Sequence, residues 1–211
     1  MSDLIARFVG AKGFAWPLLV TCLVLLSSLV LAGAPLPGFD RVMVLPEPRE
    51  ITDAELTSHK GESFRLTQLR GRPSLIFFGF TNCADVCPAA MAKFLQLERS
   101  GLLDSHAVNF ALISVDGERD SPEAMRVFLR QFSEAFVGLT GDPGDVRKIA
   151  TSFRAPFFKG DMRGADGSYS VAHSTQMFLL DRAGRLRAEL HNPTVEAMAG
   201  ITNAVLAETD P

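Results

Sequence analysis

Two cysteines, Cys83 and Cys87, have the clearest chemical potential in the chain and lie four positions apart in the segment TNCADVCP at residues 81–88. This segment follows a continuously apolar run, residues 74–80, which predicts a buried strand. Ligands bind at the carboxyl ends of strands in open α/β sheets, and a helix start favours anionic groups. We therefore expect a lowered pKa for a thiol placed there, and a helical turn can bring both sulfurs to one point.

Two thiolates at one point support redox chemistry or metal binding. They can form a disulfide and shuttle between dithiol and disulfide, or they can chelate a soft metal such as Cu(I) or Zn(II). The spacing of four leaves more room for a metal than a Cys-x-x-Cys motif does. The alternative is an inert buried pair or a structural disulfide. The third cysteine, Cys22, lies in an apolar N-terminal run and is expected to be a small apolar residue without chemistry.

The elements that must position this pair alternate between strands and helices. Apolar runs predict the strands, and a capping residue, followed by proline in two cases, marks three helix starts. The predicted strands are residues 74–80, 108–115, 176–180 and 186–190, and the predicted helices are residues 88–100 and those following Ser121, Asp142 and Thr194. The last two strands flank a turn-forming quartet and predict a hairpin. This order predicts an α/β fold, a thioredoxin-like three-layer sandwich, over residues 51–211.

A transmembrane anchor is predicted at residues 15–33. No charged side chain occurs between Lys12 and Asp40, and about 18 apolar residues in a helix reach ~27 Å, enough to cross a bilayer core. Arg7 and Lys12 place residues 1–14 in the cytoplasm, because positive residues stay on that side. We therefore expect a single-pass protein of the inner (cytoplasmic) membrane, with its domain on the periplasmic or equivalent exported side. A cleaved signal peptide is the alternative.

The segment between anchor and domain, residues 34–50, is predicted to be an extended proline-rich linker. Beyond it the composition is that of an ordinary globular protein. Of 211 residues 47% are hydrophobic, and 21 basic against 24 acidic side chains give a net charge of −3. This charge, with no basic stripe, argues against a nucleic-acid partner.

Several spaced motifs together resemble the SCO/SenC family of copper chaperones for cytochrome c oxidase assembly. The matching segments are FGFTNCADVCP at residues 78–88, SVDGERDSP at 114–122, GLTG at 138–141 and AHST at 172–175. They occur in the order that the family has, and the predicted anchor matches the family's layout. The resemblance spans roughly residues 55 to 190.

The resemblance implies a thioredoxin-like domain that binds one copper ion, Cu(I) or Cu(II), through Cys83, Cys87 and His173. It implies a metallochaperone rather than an enzyme, with the copper-site subunit of cytochrome c oxidase as recipient and other periplasmic copper carriers or thiol reductants as further partners. Thiolate and imidazole donors suit Cu(I), and three ligands leave the ion open to a receiving protein. Where the family usually has Asp before the metal histidine, this chain has Ala172, which puts affinity and partner choice in question.

The other functional hypothesis is a thiol–disulfide oxidoreductase that keeps the oxidase copper-site cysteines reduced through the same Cys83–Cys87 pair. Residues 157–192 contain no proline, so the proline that usually faces the redox pair in a thioredoxin is missing there. A peroxidase of the peroxiredoxin kind would need Thr where Ala84 stands.

Other polar residues receive structural interpretations. The charged turn at residues 116–120 is expected to be a solvated loop that ends in a helix cap, although it lies close to the site. Asp85 is expected either to complement the helix dipole or to face a partner. The remaining histidines, His59, His106 and His191, are expected to face solvent.

Overall fold

An eight-stranded mixed sheet forms the centre of the computed structural model, which describes residues 41–160 and 169–208. The spatial order of its strands is β1-β10-β9-β4-β5-β6-β2-β3, and β7 pairs with β8 in a separate two-stranded ribbon. The strands are β1 (Arg41–Arg49), β2 (Leu56–Ser58), β3 (Ser63–Phe64), β4 (Ser74–Gly79), β5 (Asn109–Ser114), β6 (Val137–Thr140), β7 (Phe157–Lys159), β8 (Val171–His173), β9 (Met177–Leu180) and β10 (Leu186–His191). The pairs β4–β5 and β5–β6 are parallel, and the other pairs among the described strands are antiparallel.

Four α-helices accompany the described strands, and the three predicted capping residues all cap. The helices are α1 (Val86–Arg99), α2 (Pro122–Leu129), α3 (Pro143–Phe153) and α4 (Val195–Ala207). The Ser121 hydroxyl accepts from the amide of the third residue of α2, Thr194 does the same for α4, and Asp142 accepts from amides in the first turn of α3. Each cap satisfies amides that the helix itself leaves unpaired, which explains why the helices begin there.

The helices cover both faces of the sheet. Phe94 of α1 packs against Phe110 of β5 with ring centroids 5.5 Å apart, and Phe110 pairs in parallel register with Leu75 of β4. Phe78, three residues after Leu75, points to the opposite face because strand side chains alternate, and there it meets Phe153 of α3 at 5.1 Å. The two helices therefore lie on opposite faces, and the predicted three-layer α/β sandwich is confirmed.

The edge strand β1 corrects the predicted linker. Residues 41–49 of the expected 34–50 spacer pair antiparallel with β10, so the sheet begins ten residues before the predicted domain boundary at residue 51. The register of this pair shifts between Val44 and Arg49, the stretch that contains Pro46 and Pro48. An edge strand tolerates proline because only one of its sides pairs with a neighbour.

The predicted cytoplasmic segment, residues 1–14, and the predicted anchor, residues 15–33, lie outside the described residues. Within residues 41–160 and 169–208, no helix has both the length and the apolar character needed to span a membrane.

Candidate metal centre

The two cysteines and one distant histidine meet at the carboxyl edge of the sheet. The ligand atoms of Cys83, Cys87 and His173 all lie within 4.8 Å of one another. Sγ of Cys87 is 3.5 Å from Nε2 of His173, across 86 positions of sequence. Both cysteines are free thiols. The structure thus brings together all three residues that the family resemblance named as copper ligands.

The turn from β4 into α1 positions the two sulfurs. Cys87 lies in the first turn of α1, is fully buried, and accepts a 3.5 Å contact from the Phe80 amide at Sγ. Cys83 lies in the connecting loop, is partly exposed, and donates its amide to the Phe80 carbonyl at 3.3 Å. A Cβ at Gly79 would stand 2.8 Å from the Cys87 sulfur. Only glycine there lets the sulfur approach the strand so closely.

His173 ends β8, and aromatic contacts and backbone hydrogen bonds set its ring orientation. Phe77 and Phe80 meet the imidazole edge to face, with centroids 5.8 and 5.5 Å away. Nδ1 lies 2.8 Å from the Ser174 carbonyl oxygen. Because a carbonyl can only accept, Nδ1 carries the proton, and the neutral ring keeps a lone pair on Nε2, the nitrogen that faces Cys87.

Burial keeps two of the ligand groups, the Cys87 thiol and the His173 imidazole, uncharged in the metal-free protein. Desolvation raises the pKa of the Cys87 thiol, so the lowered pKa expected at a helix start is wrong for this residue. Desolvation also lowers the pKa of His173, which leaves the imidazole neutral near pH 7. A metal that binds here must therefore displace the thiol proton, whereas it finds the imidazole ready to donate.

We expect copper affinity to rise with pH. The pKa of Cys87 lies above the ordinary ~8.5 of a cysteine, so each copper ion bound between pH 6 and 8 releases at least one thiol proton. The apparent Cu(I) affinity of the reduced chain should then increase by about tenfold or more per pH unit. Competition with a Cu(I) chelator, corrected for the chelator's own protonation, measures this slope. An affinity that is independent of pH over this range would contradict the buried neutral thiol.

The acidic turn beside the site is buried at both of its ends, Asp116 and Asp120, contrary to the expected solvated loop, and only its middle residue Glu118 is exposed. Asp120 is fully buried, and its carboxylate accepts from the Thr81 amide at 3.0 Å, the Thr81 hydroxyl at 2.6 Å and the Ser114 hydroxyl at 2.6 Å. Thr81 lies two residues before Cys83, so Asp120 fixes the start of the cysteine loop. The available sequence signal was the placement of this turn directly after β5, the neighbour of the strand β4 that leads into the cysteine loop.

Asp116, also fully buried, anchors the other side of the turn. Its carboxylate accepts from Arg119 Nε and from the Tyr169 hydroxyl, and Lys159 Nζ lies 4.0 Å away. Desolvation and the hydrogen bond to Asp116 raise the pKa of Tyr169 to about 12, so the phenol keeps its proton and donates. Arg119 belongs to the turn that the sequence placed close to the site, whereas Tyr169 was not singled out by the sequence.

The other histidines and Asp85 are not members of the ligand cluster. His59 is half-buried and accepts the Gly138 amide at Nδ1, and burial lowers its pKa; the prediction of a solvent-facing ring is wrong. His191 is half-buried beside Gln176, whereas His106 is exposed as expected. The Asp85 side chain is exposed and makes no capping hydrogen bond to α1.

An open cavity of about 550 Å³ adjoins the exposed side of His173. Its lining includes Phe158, which is 66% exposed, and Ala172, which stands where the family usually has an acid. The cavity gives a route by which a partner can reach the imidazole.

Taken together, a thioredoxin-like sandwich with two thiols and an imidazole at its sheet edge defines a protein with a soft-metal or dithiol site. The family model SCO1/SenC matches residues 46–206. The chain belongs to the SCO1/SenC family, as its motifs predicted.

Relatives and solved structures agree with this membership. The SCO2-like protein of Rickettsia conorii is 32% identical over 169 residues, which cover 79% of this chain and 80% of the relative. The human mitochondrial SCO1 homolog is 35% identical over 131 residues, or 61% of this chain and 43% of the human protein.

Two similar structures hold copper. Copper-bound ScoI of Bradyrhizobium japonicum has a TM-score of 0.67 and 34% identity, covering 74% of this chain and 98% of ScoI. Copper-bound yeast Sco1 has a TM-score of 0.69 and 27% identity, covering 77% of this chain and 91% of Sco1. The predicted copper cofactor is therefore supported by the donor set and by these neighbours.

Proposed function

We propose that this protein is a membrane-anchored metallochaperone that binds one copper ion through Cys83, Cys87 and His173. It delivers the ion to the copper centre of cytochrome c oxidase or helps to assemble that centre. The observation that carries the proposal is the convergence of two thiols and a lone-pair imidazole nitrogen within 4.8 Å. The copper-bound ScoI and Sco1 structures support the choice of metal.

The chemistry of the donors suits both holding and releasing copper. Two thiolates are soft ligands that select Cu(I), and imidazole also serves Cu(II). Cys87 is buried, whereas Cys83 and His173 are partly exposed, so an incoming ligand can approach from the side of these two residues. A recipient can then replace the donors one at a time, beginning with the exposed pair.

The location is part of the proposal. The uncharged span at residues 15–33, preceded by Arg7 and Lys12, supports an anchor in the cytoplasmic membrane with the domain on the exported side. The oxidase copper-site subunit is the proposed recipient there.

A thiol–disulfide oxidoreductase is the second candidate function. The observation that favours it is the presence of both free thiols in one site, with Cys83 accessible to a partner's disulfide and Cys87 buried behind it. In that cycle the Cys83 thiolate attacks the partner's disulfide, and Cys87 resolves the mixed disulfide. The partner leaves as a dithiol, and this chain becomes the disulfide.

The test uses the full chain in cells that lack their own copy. We expect the wild-type chain to restore the copper centre of cytochrome oxidase, measured by its absorption spectrum and by the copper content of purified oxidase. His173→Ala should not restore it, because that variant keeps the dithiol and loses a copper donor.

A membrane-impermeant thiol reagent, applied to intact reduced cells with a permeable outer barrier, should label Cys83.

The outcomes separate the two functions. Full restoration by His173→Ala, with loss of restoration on Cys83→Ser, would assign the role to dithiol chemistry and overturn copper delivery. Labelling that occurs only after lysis would overturn the exported orientation. His106→Ala is the matched control, since this histidine is exposed and is not part of the cluster of three ligands.

A further inference from the structure

We infer that Arg119 is a positioning residue that holds the histidine half of the metal site against the cysteine half. The inference rests on the proposed copper function and adds a residue outside the three ligands. The cysteine half is the loop between β4 and α1, and the histidine half is the β7–β8 ribbon that ends in His173.

The ribbon needs such a device because the main sheet does not hold it. Among the described strands, β7 and β8 pair only with each other, so no hydrogen-bonded ladder of the eight-stranded sheet fixes their position. Apart from the chain connections to α3 and β9, contacts across the gap therefore help to set the distance between His173 Nε2 and the sulfurs. Among the described residues, the turn at residues 116–120 contacts the ribbon from the side of the cysteine loop.

Arg119 contacts the ribbon through Tyr169, which lies two residues before β8. Its Nη1 donates to the Tyr169 carbonyl at 3.1 Å, and its guanidinium carbon lies 3.9 Å from the centroid of the Tyr169 ring. Asp116 links Arg119 to Tyr169 a second time, because it accepts from both Arg119 Nε and the Tyr169 hydroxyl. Glu118 forms an ion pair with Lys159 of β7 at 2.7 Å, which connects the other strand of the ribbon to the same turn.

Arg119 also reaches the cysteine side of the site. Its guanidinium carbon lies 5.8 Å from the centroid of Phe80. Phe80 in turn packs against the His173 ring and donates its amide toward Cys87 Sγ. The neighbouring Asp120 holds Thr81, the next residue of the loop. Arg119 thus lies over Phe80, an aromatic residue that contacts all three ligand residues.

An arginine suits this position better than another cation. Its planar group donates in two directions at once, here to a carboxylate and to a backbone carbonyl, while its face stacks on aromatic rings. Lysine keeps the charge but has neither the fork nor the flat face. We therefore expect Arg119→Lys to recover only part of what Arg119→Ala loses.

The experiment is a double-mutant cycle on Cu(I) affinity in the reduced full chain, measured by chelator competition. Arg119→Ala should weaken binding by ~10–100-fold, the range for residues that orient a metal ligand. In a His173→Ala background the same substitution should change affinity by less than about threefold, because the ligand that Arg119 positions is gone. Arg126→Ala, an exposed arginine on α2, is the matched control and should change neither background.

A metal-free measurement keeps the inference separate from the proposed function. Amide hydrogen exchange at residues 157–159 and 171–174 should speed up in Arg119→Ala and stay unchanged in Arg126→Ala. If the wild-type chain binds no copper while ribbon exchange behaves as expected, the proposed function fails and the positioning role stands. Equal affinity losses in both His173 backgrounds, or unchanged ribbon exchange, would overturn the role of Arg119.

Discussion

Replacing Cys87 by serine should remove tight copper binding from the reduced chain. The substitution deletes a soft donor and the negative charge that balances Cu(I), and the serine hydroxyl supplies neither near pH 7. Cys83→Ser should do the same. His173→Ala should lower the Cu(I) affinity less, because it leaves both sulfurs and removes a neutral ligand. We expect this variant to lose at least ~10–100-fold in affinity. Chelator competition for Cu(I) measures all three variants, and each cysteine variant should fall well below His173→Ala.

The chain provides its own control for this experiment. Cys22→Ser removes the remaining cysteine, which is predicted to lie in the anchor, and should leave one copper bound per chain with unchanged affinity. Serine is close to cysteine in size, so Cys87→Ser should keep the fold, and circular dichroism checks that it does. A Cys87→Ser variant that still binds one copper at wild-type affinity would show that the buried sulfur is not a ligand.

The cysteine half of the site was predictable because its signals are local. An apolar run bounded by Pro73 predicts a strand at 74–80, and the observed β4 ends one residue earlier, at Gly79. Helix α1 begins at Val86, two residues before the predicted start at Pro88, so Cys87 lies inside the helix. The apolar pattern and the prolines within about fifteen residues are enough to predict this strand and this helix.

The histidine half was not predictable from local pattern. His173 belongs to a three-residue strand in a ribbon apart from the main sheet, and such a strand is too short to show an alternation. Its approach to Cys87 depends on tertiary contacts across 86 positions. Only the family resemblance connected it with the cysteines. The short strand β6 was missed for the same reason, since Val137–Thr140 has four residues and one of them is glycine.

The buried acids were misjudged because charged side chains are rarely buried without partners, and partners cannot be seen in the sequence. Asp116 and Asp120 read as a solvated turn by composition alone. In the fold, hydroxyls, an amide and a guanidinium converge on them from Thr81, Ser114, Arg119 and Tyr169. These groups come from three separate parts of the chain, and only the packed structure brings them to one place.

Asp120→Ala should lower the free energy of unfolding by about 3–5 kcal/mol. The fully buried carboxylate accepts three hydrogen bonds, so its removal leaves the Thr81 amide, the Thr81 hydroxyl and the Ser114 hydroxyl without their partner. Asp120→Asn keeps the shape and one acceptor oxygen, and should lose roughly half as much. Denaturant unfolding of the reduced, metal-free chain, followed by circular dichroism, measures both variants.

The exposed Asp85 supplies the matched control for this prediction. Its side chain makes no capping hydrogen bond, so Asp85→Ala should change the free energy of unfolding by less than about 0.5 kcal/mol. Asp85 lies at the end of the cysteine loop, directly before α1, and Asp120 contacts the start of the loop at Thr81, so the pair compares an exposed carboxylate with a buried and hydrogen-bonded one. If Asp120→Ala unfolded within 1 kcal/mol of the wild type, the three hydrogen bonds would not be what holds the cysteine loop. The difference in free energy of unfolding between Asp120→Ala and Asp85→Ala therefore decides whether the buried Asp120 carboxylate fixes the loop that carries Cys83, or whether the start of helix α1 alone does so.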